Sequence, residues 1–117
     1  MDKLVKILKA LGDKNRLRII KMLQKRQLCV GDITEILGLA TSTVSKHLSV
    51  LRDAGIVNDL KDGKWAIYSL NHSAKNLYIS SLMPLISFWL ENDSQIKLDL
   101  EKVKNNNSRY SDASELK

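Results

Sequence analysis

Residues 31–55, GDITEILGLATSTVSKHLSVLRDAG, decide the fold. They read as a short amphipathic helix, a tight turn at Gly38, and a second helix that opens on Thr41, Ser42 and Thr43. That layout is a helix-turn-helix, whose second helix is expected to enter a DNA major groove. The second helix divides into two faces. Val44, Leu48 and Leu51 fall at i, i+4 and i+7 and make one apolar stripe. At 3.6 residues per turn, Ser42, Ser45, Lys46 and Ser49 fall opposite it. Short hydroxyls and one cation suit phosphates and base edges. A merely solvated face is the competing reading, but propensity would fill such a face with Glu, Lys and Ala. His47 lies about 60° from Val44 around the helix. It reads either as a packed edge residue or as a DNA contact.

Residues 56–70, IVNDLKDGKWAIYSL, follow at once and read as a β-hairpin. Asp62 and Gly63 are the expected central pair of a type I′ turn. Lys61 and Lys64 flank that pair, so two cations sit near the tip. A basic hairpin after a recognition helix makes a winged helix-turn-helix, with the tip able to reach the backbone or the minor groove. The same lysines would also serve as simple protection of a hairpin edge.

Two helices precede the motif. Leu4, Ile7, Leu8 and Leu11 form a stripe that ends at Gly12. Asp13 is placed to cap the next helix, with Leu17, Ile20 and Leu23 inward and Arg16, Arg18 and Lys21 on the solvent side. After the hairpin, Asn71 or Ser73 is expected to cap a long helix over 73–91. Ile79, Leu82, Met83, Ile86 and Leu90 share one face, and Leu85, Phe88 and Trp89 widen it. Pro84 should bend this helix or set an early boundary. The apolar surface exceeds what one small core needs, and a two-fold homodimer is the simplest second partner. The alternative is that Phe88 and Trp89 close the core of a monomer.

With 117 residues there is room for one domain and a modest core. Residues 1–91 read as a DNA-binding and dimerisation domain, 92–104 as a helical extension, and 105–117 as a polar, disordered tail. A formal charge of +6 favours a polyanionic partner. No run is long enough to span a bilayer, and the amphipathic N-terminus lacks the core of a signal peptide. One cysteine builds no internal disulfide, which suits a reducing cytoplasm.

Three segments between about Leu8 and Leu70 resemble the ArsR-type (ArsR/SmtB) family of transcriptional repressors. Residues 10–20, ALGDKNRLRII, are similar to its opening. Residues 27–33, QLCVGDI, are similar to its metalloid-site segment, and residues 41–57, TSTVSKHLSVLRDAGIV, to its recognition helix and the start of its wing. The resemblance implies a mainly α fold with a small β-hairpin wing (α+β), in the order α-α-α-α-β-β-α. It implies a homodimer through the first and last helices, here Leu4, Leu8, Ile79, Met83, Ile86 and Trp89. The implied partner is double-stranded operator DNA, met by Thr41, Ser42, Thr43, Ser45, Lys46, His47, Ser49, Lys61 and Lys64, with release by an inducer.

The inducer site departs from the family pattern. Arsenite-responsive members carry Cys-x-Cys here, and trivalent arsenic wants about three thiolates. Cys29 matches the first position, but Gly31 stands in the second and no other cysteine exists. The family's zinc site on the last helix needs several ligands, and His72 is the one histidine near that helix. No metal is therefore expected with confidence, although arsenite or another soft metalloid at Cys29 stays open. Cys29 otherwise reads as a buried structural thiol, or as a redox or electrophile sensor if its pKa is depressed at a helix N-terminus. An enzyme is not expected, because no triad, Gly-rich phosphate loop or carboxylate pair stands out. A constitutive or thiol-responsive DNA-binding regulator and a winged-helix protein-interaction module remain as alternatives.

Overall fold

The recognition helix packs its apolar stripe into the core of the computed structural model, which describes residues 1–72 and 75–106. Helices α1 (Asp2–Leu11) and α2 (Lys14–Leu23) lead to a two-residue strand, β1 (Leu28–Cys29). The helix-turn-helix pair follows as α3 (Val30–Leu37) and α4 (Thr41–Asp53). The wing strands are β2 (Val57–Asp62) and β3 (Trp65–Leu70), and helices α5 (Leu77–Phe88) and α6 (Ser94–Asn105) come last. Val44, Leu48 and Leu51 of α4 are fully buried, as their spacing predicts. Gly38 caps α3 in the left-handed region, at φ +68°, and so makes the tight turn.

The end of α4 fixes the wing. The Ile56 amide donates to Leu51 O at 3.0 Å and the Gly55 amide to Arg52 O at 2.9 Å. Those two bonds make a Schellman turn, with Gly55 at φ +78°. Strand β2 therefore leaves the recognition helix at a set angle.

The sheet is three-stranded and antiparallel, in the order β1-β3-β2. Strand β1 was not expected, since two residues carry no periodicity; it exists through the pairs Leu28–Tyr68 and Cys29–Ile67. The hairpin turn also differs. Asp62 pairs with Trp65, so Gly63 and Lys64 are the central residues. Gly63 has φ +60°, and Leu90 is the only non-glycine residue with positive φ among the described residues. A positive φ at the first central position alone is the demand of a II′ turn, not of I′.

The last helices depart further from the sequence reading. The side chain of Asn76 caps α5 by accepting from the amides of Tyr78 and Ile79. Asn71 ties the wing base together, donating to Gly55 O at 3.1 Å and accepting from Asn58; Ser73 lies outside the described residues. Pro84 sets no boundary, because α5 runs on to Phe88 while Ile86 stays buried in the core. The chain then reverses, with Leu90 at φ +64°, and Asp93 caps a separate α6. Helix α6 does not prolong α5 but folds back on α2 and α3. The tail expected over 105–117 lies outside the described residues from 107 onward.

Helix α2 turns Arg16, Arg18 and Lys21 toward neighbouring elements, while its Lys14 is exposed. Arg16 donates from Nε to Ala10 O at 2.7 Å and from Nη2 to Lys9 O at 3.1 Å, closing the end of α1. Lys21 is buried, with Nζ donating to the carbonyls of Ile86 and Ser87 at the end of α5. Its burial holds the ammonium below the usual lysine range. Arg26, just beyond α2, donates to the carbonyls of Val103 and Asn106 at the end of α6. Arg18 grips the buried Asp99 of α6 through two bonds, at 2.7 and 3.0 Å.

Of the residues expected at a dimer surface, Ile79 and Ile86 are buried in the protomer's own core, because that face of α5 packs on the rest of the domain. Leu4 and Met83 are half-buried, whereas Leu8 and Trp89 are exposed at 51% and 48%. Phe88 does not close a monomer core either, being 73% exposed.

The two arginine pairs should behave differently. Arg18→Ala leaves the Asp99 carboxylate buried without its main partner and should destabilise the fold by about 3 kcal/mol. Arg52→Ala breaks the exposed pair with Asp59, 3.2 Å apart, and should cost less than about 1 kcal/mol. Urea unfolding of both variants checks this, and equal losses would contradict it.

Candidate nucleic-acid interface

The buried stripe of α4 dictates what its other side shows. Thr41, Ser42, Thr43, Ser45 and Lys46 are all exposed, and Ser49 is half-buried. Ala40 is the N-cap and gives no side-chain cap bond. The first amides of α4 therefore meet the surface beside three hydroxyls, at the positive end of the helix dipole. Such an end is suited to a phosphate.

His47 is placed differently from its neighbours. Its ring is half-buried and faces the corner between α1 and α2. Nδ1 lies 3.3 Å from Arg16 Nη1 and 4.0 Å from Asp13 Oδ1. Of its two sequence readings, this is the geometry of the packed edge residue. Asp13 and Arg16 thus bear on the recognition helix, which the sequence reading missed. No pattern within α2 announces it, since His47 lies 31 positions beyond Arg16.

The wing carries Lys61 and Lys64, both exposed. Lys64 holds its ammonium 5.1 Å from the centre of the Trp65 ring. That contact restrains the cation at the tip without neutralising it. Arg52 pairs with Asp59 and so braces the last turn of α4 against β2.

A model of the family described as "Bacterial regulatory protein, arsR family" matches residues 13–59. The cadmium resistance transcriptional regulatory protein CadC of Listeria innocua is 41% identical over 78 residues, covering 66% of this chain and 62% of that protein. The chain thus spans less than two thirds of that relative. The arsenical resistance operon repressor of Bacillus subtilis is 38% identical over 73 residues, covering 62% of this chain and 70% of that one. The chain belongs to the ArsR family. The fold agrees: the homodimeric winged helix-turn-helix domain of Mb0332 from Mycobacterium bovis superposes with a TM-score of 0.64 at 25% identity, covering 73% of this chain and 75% of that one.

In the ArsR-family segment that carries Cys-x-Cys in arsenite-responsive members, this chain presents one shielded thiol. Cys29 is buried at the N-terminus of α3, between Ile67 and Trp65 of the wing strand. Its Sγ donates to Asp32 Oδ2 at 3.1 Å. Burial pushes the thiol pKa up, and the Asp32 carboxylate pushes it further. The amides of Asp32 and Gly31 pull the other way and are outweighed. A sensor thiol needs the opposite balance. The donor set does not fit a three-thiolate metalloid centre, with Gly31 in the second position and no further cysteine in the chain. Among the described residues no group of three or more His, Cys, Asp or Glu side chains is arranged to hold a metal ion.

Cys29 should accordingly be slow to react. With its native pKa raised, the thiol stays protonated through neutral pH. Its contribution to stability is complete below the ordinary thiol range near about pH 8.5 and fades as pH rises through the native value. A disulfide reagent at pH 7.5 should label the native protein at least roughly a hundredfold more slowly than the urea-unfolded chain, an opening cost of about 3 kcal/mol. Comparable rates would show the thiol to be open.

Proposed function

We propose that this protein is a homodimeric transcriptional repressor that binds double-stranded operator DNA and works in the cytoplasm. The observation that carries the reading is the exposed hydroxyl and lysine face of α4, set opposite a fully buried stripe and beside a basic wing tip. On this reading Ser42, Ser45, Lys46 and Ser49 meet base edges and phosphates in the major groove, with the first turn of α4 against the backbone. Lys61 and Lys64 meet phosphates beyond it. The repressor assignment is supported by the name of the Bacillus subtilis relative.

Dimerisation is supported by the exposed Leu8 on α1 and by Phe88 and Trp89 at the end of α5. Three large apolar side chains left in water are surface that association would bury. The Mycobacterium bovis relative is described as homodimeric. Two recognition helices would then read two half-sites.

A second reading concerns the inducer. The shielded, protonated Cys29 and the glycine at position 31 favour regulation that does not pass through a thiolate metal centre, even though a relative is a cadmium resistance regulator. The protein then represses constitutively or answers a signal received elsewhere.

An operator selected from random duplexes and followed by anisotropy tests the DNA assignment. Ser42→Ala with Ser45→Ala should weaken operator binding by about 1–3 kcal/mol while leaving non-specific binding intact. Lys61→Gln with Lys64→Gln should weaken both and reduce the log–log salt slope by about 0.9 per lost phosphate contact. Absence of salt-sensitive duplex binding by the wild type would overturn the reading. Assembly is tested separately: Leu8→Glu with Trp89→Glu should sediment as a monomer and lose operator binding. A folded, tight-binding monomer would contradict the dimer.

A further inference from the structure

Polar contacts join the recognition helix to its surroundings at Arg52, which pairs with Asp59 of the wing, and at His47, which meets Arg16 and Asp13 at the start of α2. Arg16 is fixed at the start of α2 by the last carbonyls of α1. Its remaining nitrogen, Nη1, points at His47 Nδ1 from 3.3 Å. A guanidinium only donates. As a hydrogen bond, this contact requires His47 Nδ1 to accept, with a neutral ring that carries its proton on Nε2. Asp13 stands on the other side of Nδ1, 4.0 Å away, with its carboxylate already accepting from the amides of Asn15 and Arg16.

We propose that His47 is a positioning residue for the recognition helix, and that its protonation exchanges Arg16 for Asp13 as its partner and weakens operator recognition. The proposal rests on the DNA-binding reading above. A proton on Nδ1 removes the acceptor and sets two cations face to face at hydrogen-bond distance. The new N–H then has one acceptor near it, the Asp13 carboxylate. Movement of the ring away from the Arg16 guanidinium and toward that carboxylate, 4.0 Å away, is the displacement that the proposal passes on to the helix. Lys46 and Ser45 precede His47 directly and lie on the exposed face, so a turn of α4 moves them off their contacts.

The charged groups facing this ring are few. Helix α2 brings Asp13 and Arg16. Helix α1 reaches the corner through the Lys9 and Ala10 carbonyls, and the Lys9 side chain is exposed. On α4 itself the neighbouring Lys46 is exposed to solvent. Histidine is the side chain whose charge ordinarily changes between about pH 5 and 8, which sets the range of the test.

The test compares wild type, His47→Gln and His47→Phe in the full chain, from pH 8 to pH 5.5 at constant ionic strength. The readout is the ratio of operator to non-operator affinity, which removes the general gain of phosphate attraction at low pH. The wild-type ratio should fall about five- to tenfold on acidification, the scale of one or two net hydrogen bonds. His47→Gln keeps an acceptor for Arg16 and cannot titrate, so it should match wild type within about twofold at pH 8 and stay flat. His47→Phe keeps the bulk without the acceptor and should be about fivefold weaker at pH 8 and flat. A wild-type ratio that does not fall, or a fall of wild-type size in His47→Gln, would overturn the proposal. A long-range 1H–15N spectrum of the free protein supplies a reading that needs no DNA. It should show His47 Nδ1 unprotonated at pH 8; a proton there would also overturn the proposal. If no duplex binds at all, the repressor reading fails while the spectrum still decides the Arg16 contact.

Discussion

An α-helix leaves its last carbonyls without partners, and most of this fold is arranged around closing them. Three helices end against cations carried on or just after α2. Arg16 closes α1, Lys21 closes α5 and Arg26 closes α6. Each cation sits at the negative end of a helix dipole, where it is worth most when shielded from water. Helix α2 is thereby the element that the others are hung on, and Arg18 adds a buried ion pair to the same surface. The +6 formal charge consequently overstates the charge available to DNA. Arg16, Arg18 and Lys21 of α2 are turned to neighbouring elements, whereas Lys46 on α4 and Lys61 and Lys64 on the wing are exposed.

That arrangement explains what the sequence revealed and what it hid. Local periodicity reports burial along one element, and it placed Val44, Leu48 and Leu51 correctly. Local chemistry reports caps, and it placed Asp13 and Gly38 correctly. Lys21 failed because its partners are carbonyls 65 and 66 positions away, which no window along the chain contains. Strand β1 failed because two residues have no pattern of their own and are defined by β3. Asn76 was passed over for Asn71 because both precede the same apolar run, and only the contacts of the wing base separate them. The reversal at Leu90 had no glycine or proline to announce it. The exposed face of α4 was legible throughout, since it is the complement of a stripe that had to be buried.

Cys29 shows how one neighbour changes the chemistry of a site. A thiol at a helix N-terminus meets amides that favour the thiolate. Here the third residue of the same helix is an aspartate, itself buried, whose carboxylate takes the thiol proton's hydrogen bond. Ionising the thiol would place two negative charges in one dry pocket. The spacing of Cys29 and Asp32 thus turns a position suited to reactivity into one suited to packing. Trp65 and Ile67 of the wing strand complete the change by packing against this residue, which is 2% exposed.

The surfaces assigned to association and to DNA are carried by different elements. Leu8 lies on α1 and Phe88 and Trp89 at the end of α5, while the hydroxyl face lies on α4. These elements share one polar neighbour, α2. Arg16 joins α1 to α4, and Lys21 joins α2 to α5. A packed core is bistable more readily than it is elastic. On the proposed dimer, a shift of α5 would reach the recognition helix through α2, by way of Lys21 and Arg16. The same route explains why an arginine at position 16 is not interchangeable with lysine: a point charge would close α1 but could not also hold His47 through a rigid planar fork.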